Sequence, residues 1–375
     1  MLRDMNNLSV LVIGGGIGGL TAAIALRQRG FTVHIIEKDP AWSVYGVGII
    51  QQGNVLRAVD QLGILDRYIG AGVGFDAVEV YLPNGAKVAR VPSPRLLADR
   101  PANVGVSRRA MQKVLGDAAR ESGATLALGV TATSIAGDST GVEVRFSDGS
   151  SGRYDIVVGA DGTYSTTRAM VLPEAPKPAF TGQAVWRYNL PRPAGLDALH
   201  VYNGPIGAGL VPISATLMYM YLTTPEPGNP RYPREGLAAA MRGKTTQCAP
   251  AIRELARHIT NDDEVVYRPL EGMLVEGDWH RGRVVLLGDA VHATTPHLGQ
   301  GAGMAIEDSL VLAEELARHA DVESAFQAYR ARRFERCAYI VRASLAICMG
   351  QLGKGPPVDN AKATAEMFAV TAQPI

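Results

Sequence analysis

The sequence predicts an α/β fold: a parallel sheet at the start and a second, mostly antiparallel sheet further on. Three stretches carry that prediction. Near residue 14 an apolar strand runs into clustered glycines, and a helical pattern and another apolar strand follow. From Phe180 to Pro269 the texture changes to strands rich in aromatic and methionine side chains, with prolines between them. From Val284 to Ser309 an apolar strand stops at Gly288-Asp289, crosses a polar loop and enters a helix through a second glycine cluster.

Leu8 to Ile13 is a run apolar at every position but Ser9, the pattern of a strand buried on both faces. Gly14, Gly16 and Gly19 supply G-x-G-x-x-G, and Gly18 stands among them. Leu20, Ala23, Ile24 and Leu26 continue as a helix up to Gly30, a natural C-terminal cap. Phe31 to Ile36 is the next strand, and Glu37 ends it about 20 residues past the glycines. Strand, turn, helix and acid together form the dinucleotide fingerprint, whereas a bare glycine motif is weak. The glycines let the backbone approach a pyrophosphate at the helix start, and Glu37 is placed to accept from ribose hydroxyls. A carboxylate there disfavours a 2′-phosphate, so the site suits FAD or NAD better than NADP. The plain alternative is a strand-turn-helix that binds nothing.

Asp39 to Ile50 reads as a loop carrying Trp42, Tyr45, Gly46 and Gly48, and Asn54 to Leu65 as a helix. Glu79–Leu82 and Lys87–Val91 flank Asn84-Gly85 and predict a hairpin. Arg108 and Gln112 lie one helical turn apart, so both can face one ligand; a solvated helix start is the alternative. Val142 to Phe146 alternates and turns at Asp148-Gly149. Asp155 to Val158 is a buried strand delivering Gly159-Ala160-Asp161-Gly162, with Ser165 and Arg168 beyond it.

Val185–Tyr188 and Leu217–Leu222 read as strands that could wall a pocket for a flat apolar molecule, although core packing explains most of their residues. Val284 to Leu287 is a strand, followed by a loop holding His292, Pro296 and His297. The helix opened by Gly299, Gln300, Gly301, Ala302 and Gly303 has Ile306, Leu310 and Ala313 on one face. A glycine-rich helix start favours a group that is, or becomes, negative. Val322 to Met349 reads as a long helix whose Arg330, Arg332, Arg333 and Arg336 form a solvated basic face, and the tail from Gly353 is irregular at first.

The 375 residues allow one large or two moderate domains, and 47% hydrophobic with 19% charged residues is a globular composition. A net charge of +1 gives no reason to expect nucleic acid or acidic lipid as partner. Cys248, Cys337 and Cys348 show no metal-ligand spacing, so no metal is expected and a reducing cytoplasm fits. No apolar run reaches the roughly 18 residues that span a membrane.

The glycine fingerprint with Glu37, the Gly159-Ala160-Asp161-Gly162 segment, and Gly288-Asp289-Ala290 running to Asp308 resemble, in this order, the single-component FAD-dependent aromatic hydroxylases, the class A flavoprotein monooxygenases. The segment from Gly288 to Ser309 is most similar to the salicylate, 3-hydroxybenzoate and urate hydroxylase branch, and the resemblance covers nearly the whole chain. It implies a Rossmann-like FAD-binding domain of the glutathione reductase type, assembled from residues 1–75, 101–178 and 271–320. It also implies a mostly antiparallel β-sheet substrate domain from 76–100 and 179–270, and a C-terminal helical segment 321–375.

The resemblance places Gly14, Gly16, Gly18 and Gly19 on the FAD pyrophosphate, Glu37 with Lys38 at the ribose, and Val130 at the adenine. Arg108 matches the arginine of a helix that contacts FAD; Gln112 and Ile50 are assigned to the same site. Asp161 is linked to FAD and the nicotinamide nucleotide, Asp289 to the ribityl and pyrophosphate region, and Gly299 to Gly303 to the isoalloxazine. His297 and Tyr219 match positions that face substrate in the urate hydroxylase branch and are the catalytic candidates. Arg187 and Pro296 join them as substrate-binding candidates. The branch's arginine is absent, since its position falls at Gly207, which argues against a urate-like or strongly anionic substrate.

The implied reaction consumes NADH or NADPH and O2 and hydroxylates a small aromatic or N-heteroaromatic ring through a flavin C4a-hydroperoxide. A histidine base suits a ring phenol at neutral pH. A flavin oxidoreductase without oxygen insertion and a non-catalytic FAD-binding protein are the rival classes. The chain stops without the extra C-terminal domain of some members, so a monomer, or a homodimer through the core, is expected.

Overall fold

A computed structural model describes residues 8–44, 46–204 and 206–375. Tyr45, placed in a loop from the sequence, lies outside these residues.

The strand Ser9–Ile13 sits at the middle of a six-stranded sheet. On one side it pairs in parallel with Thr32–Glu37, which pairs with Thr125–Leu128. On the other it pairs with Ile156–Gly159, then Val284–Leu286, and the short strand His280–Arg281 closes that edge antiparallel. Val10, Leu11, Val12, Val157, Val158 and Val285 are fully buried, as a parallel sheet covered on both faces requires. All three glycine motifs therefore leave the carboxyl ends of neighbouring strands, where ligands bind in open α/β sheets. The helix Ile17–Gln28 ends before Gly30, whose φ of +88° suits only glycine well. It lies beside the helix Gly301–Arg318, latched by a 2.8 Å contact between the hydroxyls of Thr21 and Ser309.

A second sheet has seven strands, in the order Val266–Gly272, Ala179–Pro191, Leu217–Pro225, Gly207–Pro212, Leu199–Tyr202, Ala77–Tyr81, Lys87–Pro92. Leu199–Tyr202 and Ala77–Tyr81 run parallel and the other pairs antiparallel, so the sheet is mixed. Strand alternation divides its residues. Trp186, Tyr188, Leu190, Met218, Met220 and Leu222 pack on the helices Leu237–Lys244 and Pro250–Ala256. Arg187 and Asn189, paired in register with Tyr221 and Tyr219, take the other face.

Several sequence expectations are corrected. The loop from Asp39 ends early, because Gly48–Gln52 is a strand of a small sheet with Asn103–Ser107 and Gly72–Phe75; Ile50 sits on it. The Asn54–Leu65 helix is two helices, Gly53–Gln61 and Leu65–Gly70, broken at Gly63. His292 is not in a loop but ends the short helix Asp289–His292. The glycine-opened helix begins at Gly301, not Gly299, and the long helix spans Val322–Gln351. After an irregular stretch a helix Asn360–Ala372 follows.

The basic face is the largest correction. Arg333 is fully buried, and Arg336 is mostly covered. Arg333 donates from Nε to Asp308 at 2.8 Å and meets Glu307 at 2.8 Å; Arg336 pairs with Glu307 at 3.1 Å. Glu307 and Asp308 stand on the helix Gly301–Arg318, so these arginines bolt the long helix onto it. Arg332 pairs with Glu314 at 2.9 Å on the same helix. Arg330 donates to the Gly277 carbonyl and covers the Phe334 ring at 4.4 Å.

Candidate active site

The first glycine cluster is shaped by the protein at three positions and left open at one. A Cβ on Gly14 would lie 2.4 Å from the Ala160 carbonyl oxygen, one on Gly19 1.9 Å from that of Gly14, and one on Gly18 2.8 Å from Leu287. Gly16 is exposed, and a Cβ there would meet nothing within 4 Å. Packing explains three glycines; the fourth keeps the backbone bare where the helix Ile17–Gln28 begins without a side-chain cap. Glu37 accepts from the Gly15 amide at 2.8 Å and, with its other oxygen, from the Asp39 amide at 2.9 Å, so it braces the turn. Gln112 Nε2 and the Trp42 indole N–H both donate to the Gly15 carbonyl at 2.8 Å. Trp42, at a φ of +47°, braces this turn, which its place in a loop of the sequence did not reveal; its ring lies against Gly116 and under Arg120. Val130 follows Thr125–Leu128, and its amide donates to the Glu37 carbonyl at 3.0 Å. Lys38, next in the chain after Glu37, is exposed.

Asp161 works inside its own loop. Its carboxylate accepts from Ser165 Oγ at 2.5 Å and from the Thr167 amide at 3.0 Å, at the start of the helix Thr166–Val171. Arg168, buried, donates to the Ala290 and Thr163 carbonyls and ties this loop to the third motif. Thr163 donates to Asp289 at 3.2 Å. Burial raises the Asp289 carboxyl above its ordinary range, with His292, Thr163 and Arg108 opposing. Arg108 lies within electrostatic reach of Asp289, Tyr68 and Tyr219, and burial lowers its pKa. It therefore joins the third motif to the second sheet.

The helix Gly301–Arg318 also starts without a side-chain cap and without an acid in its first turn. Gly301 and Ala302 are half-buried, and the nearest atom to a Cβ on Gly301 is a Thr294 methyl at 3.4 Å. The Gln300 side chain points away from that start: its amide binds Gln52 and Asn54 and reaches the Met367 sulfur. Only its backbone remains for a ligand. Gly299 has a φ of +68° and ends the turn Pro296–Leu298. Behind the helix, Asp308 accepts from His292 Nε2 at 2.6 Å and from the Gly288 amide at 3.0 Å, which fixes the strand end. Burial works against an ionised Asp308, but His292 and Arg333 hold it well below the usual carboxylate range. His292, Asp308 and Cys337 approach one another closely enough for metal ligation, yet the Arg333 guanidinium already bonds Asp308.

The second sheet brings Arg187 and Tyr219 to the same region. Gly48 lies against the Tyr219 ring, at 2.5 Å from a hypothetical Cβ, and Gly209 lies under the Tyr221 ring. Arg187 pairs with no carboxylate among the described residues, and burial together with Arg108 lowers it to about 10. Asn189 Oδ1 is buried with no hydrogen-bond partner among the described residues. Neither Tyr221 nor Asn189 was singled out from the sequence, although both lie two residues along a strand from one that was. His297 contacts Thr295 Oγ1 through Nδ1 at 3.0 Å and Gln351 Oε1 through Nε2 at 3.1 Å. Burial pulls it down to about 4, so the ring is neutral.

The bare Gly16 backbone, two uncapped helix starts, the Asp289 carboxyl beyond a parallel strand and Arg108 within its electrostatic reach fit a flavin dinucleotide. They define a flavoprotein of this α/β type, with a second, seven-stranded sheet beside the parallel one. The sequence pattern of the FAD binding domain family matches residues 7–202 and 242–344. Aurachin C monooxygenase/isomerase of Stigmatella aurantiaca is 33% identical over 352 residues, covering 92% of this chain and 90% of the relative. The 3-hydroxybenzoate 6-hydroxylase of Polaromonas naphthalenivorans is 32% identical over 359 residues, covering 90% and 86%. The solved structure of Klebsiella pneumoniae HpxO with FAD and uric acid superposes with a TM-score of 0.84 at 27% identity, covering 97% of this chain and 92% of that one. The chain belongs to this family of FAD-dependent class A monooxygenases. Among the described residues no helix is long and apolar enough to cross a membrane.

Proposed function

We propose that this enzyme hydroxylates a small aromatic or N-heteroaromatic ring bound between the helix start at Gly301 and the sheet face carrying Arg187, Asn189, Tyr219 and Tyr221. The observation that carries this reading is the set of polar groups on that face: a guanidinium with no carboxylate partner and an amide oxygen with no hydrogen-bond partner among the described residues, and two tyrosines beside two glycines. Relatives named for 3-hydroxybenzoate and for a uric acid complex support a ring of this size.

Bound FAD, reduced by NADH or NADPH, supplies the activated oxygen. Gly14, Gly16, Gly18 and Gly19 would hold its pyrophosphate, with Glu37, Lys38 and Val130 toward the adenosine. Ile50, Arg108, Gln112, Asp161 and Asp289 would complete the cradle, and the backbone from Gly299 to Gly303 would face the isoalloxazine. The uncapped helix start favours negative charge on the group it faces.

The protein's further task is to make the ring electron-rich. His297 is the proton acceptor in this reading, with Pro296 beside it and Tyr219 holding the ring oxygen. A phenol near pH 10 and an imidazole near 4 are about six units apart, or roughly 8 kcal/mol against transfer. The guanidiniums of Arg187 and Arg108 must lower the phenol's own pKa to close that gap. In this reading Arg187 and Arg108 stand in for the arginine that Gly207 replaces, and the ring is one that ionises beside them.

The test is oxidation of NADH and NADPH by the purified flavoprotein across a panel of hydroxylated benzoates, pyridines and quinolones, with peroxide and product measured together. A ring that speeds oxidation and returns a product one oxygen heavier supports the reading. Accelerated oxidation with no oxygenated product from any ring refutes it.

A further inference from the structure

The imidazole of His297 is held by a chain of hydrogen bonds whose direction can be worked out. Cys348 Sγ lies 3.3 Å from Gln183 Oε1, and burial raises the thiol's pKa, so it donates as S–H. That leaves Gln183 Nε2 to donate to Gln351 Oε1, at 2.9 Å. The same oxygen of Gln351 faces His297 Nε2 at 3.1 Å. An amide oxygen only accepts, so Nε2 carries the proton. The lone pair then sits on Nδ1, toward the Thr295 hydroxyl at 3.0 Å.

We propose that Gln351, at the C-terminal end of the helix Val322–Gln351, is the positioning residue that fixes His297 in its Nε2–H tautomer and thereby makes Nδ1 the proton-accepting atom. The inference rests on His297 being the base for its catalytic consequence, but not for the tautomer itself. Three elements meet at this point: the turn Pro296–Leu298, the strand Ala179–Pro191 through Gln183, and the long helix through Gln351. Nearest in the chain to these contacts, the titratable or charged groups are Cys348 on the helix, Lys354 in the turn after it, close to Gly182, and Arg187 further along the strand. No carboxylate bonds the ring among the described residues, and the ring's shift has two causes, burial and the Gln351 bond. A substitution at Gln351 therefore acts on a ring with few competing influences. Gln351 stands just before Gly353 in a stretch with no motif, and only the packing reveals its partner.

The experiment is ¹⁵N-histidine NMR of the holoenzyme, with a parallel pH profile of substrate-dependent turnover, for the wild type, Gln351→Glu and Gln351→Leu. The wild-type ring should show the Nε2–H pattern at neutral pH. Gln351→Glu keeps the acceptor and adds a charge, so His297 should titrate about one unit higher or more, the usual effect of an adjacent carboxylate. Gln351→Leu should give a mixture of tautomers. Gln351→Glu also serves as the conservative variant should Gln351→Leu misfold. An unchanged tautomer and midpoint in Gln351→Glu would overturn the proposal. If the tautomer and midpoint respond while the turnover profile stays still, the positioning role stands and His297 loses its place as base.

Discussion

Arg333→Met removes the charge that joins the long helix to the helix Gly301–Arg318 while keeping most of the side-chain volume. Arg333 is 1% exposed and serves two carboxylates, Glu307 and Asp308, each at 2.8 Å. Removing one partner of a buried ion pair costs about 3–5 kcal/mol, because a charge is left buried without compensation. Both acids keep other partners: Glu307 retains Arg336 at 3.1 Å and Asn54 at 3.0 Å, and Asp308 retains His292 at 2.6 Å and the Gly288 amide at 3.0 Å. The expected loss is therefore at the lower end, about 3 kcal/mol. Urea unfolding of the holoenzyme, followed by tryptophan fluorescence and by circular dichroism, measures it; the Trp279 indole reports on the network, standing 5.4 Å from the His292 ring. Arg342→Met is the control, since Arg342 is exposed and pairs with exposed Glu276. It should fall within about 0.5 kcal/mol of wild type. A loss of that same small size for Arg333→Met would refute the account and restore the picture of a solvated basic face.

The same network gives a pH dependence. Asp308, held well below its ordinary 3.8, contributes stability above that pH and loses it as acid protonates it; His292, held above 6.5, contributes below that pH and loses it as alkali removes its proton, so the network's share should be greatest between about pH 4 and 6.5. A urea midpoint difference between wild type and Asp308→Asn that is flat from about pH 3 to 9 would contradict this. Gly16→Val should fold normally yet bind FAD at least tenfold more weakly by flavin absorbance titration, whereas Gly19→Ala, with its Cβ 1.9 Å from a carbonyl oxygen, should lower folded yield; equal behaviour would remove the distinction drawn between them. Arg187→Met should raise KM for an ionised ring by about tenfold or more and spare FAD content, as loss of a charge-assisted contact predicts; an unchanged KM would take Arg187 out of the substrate site. Gly301→Asp meets little steric resistance, so its expected slowing of flavin reduction in stopped flow would report charge at the helix start rather than shape.

The nucleotide-binding half was legible because its signals are local. Glycines, strand and acid stand within one short unit, and Gly19 is confined by Gly14 five residues away, although Gly14 and Gly18 are confined by the distant Ala160 and Leu287. The third motif was legible in type but not in detail, since only the packed structure shows His292 buried against Asp308 or Gln300 turned toward Met367. The arginines of the long helix were misread because their spacing is that of an ordinary charged helix. The partners of Arg333 and Arg336, Glu307 and Asp308, lie more than twenty residues earlier on a helix whose apolar face was the visible signal. Tyr221, Asn189 and Gln351 were missed for the same reason: their roles depend on strand register and on where a helix ends, and no local pattern encodes either.

The alternation along Ala179–Pro191 and Leu217–Pro225 has an evolutionary consequence. Because Trp186, Tyr188 and Met220 answer to the helices behind, while Arg187, Asn189 and Tyr221 take the face proposed for the ligand, neighbouring codons would be under different selection. A lineage can exchange the forward-facing residues, trying new rings, without disturbing the packing that keeps the sheet folded. Gly207 and Gly209 set the order of such trials. A Cβ on Gly209 would meet the Tyr221 ring at 2.2 Å, and one on Gly207 the Thr223 hydroxyl at 2.4 Å, so a side chain can enter at either position only after its cross-strand neighbour has shrunk or turned aside.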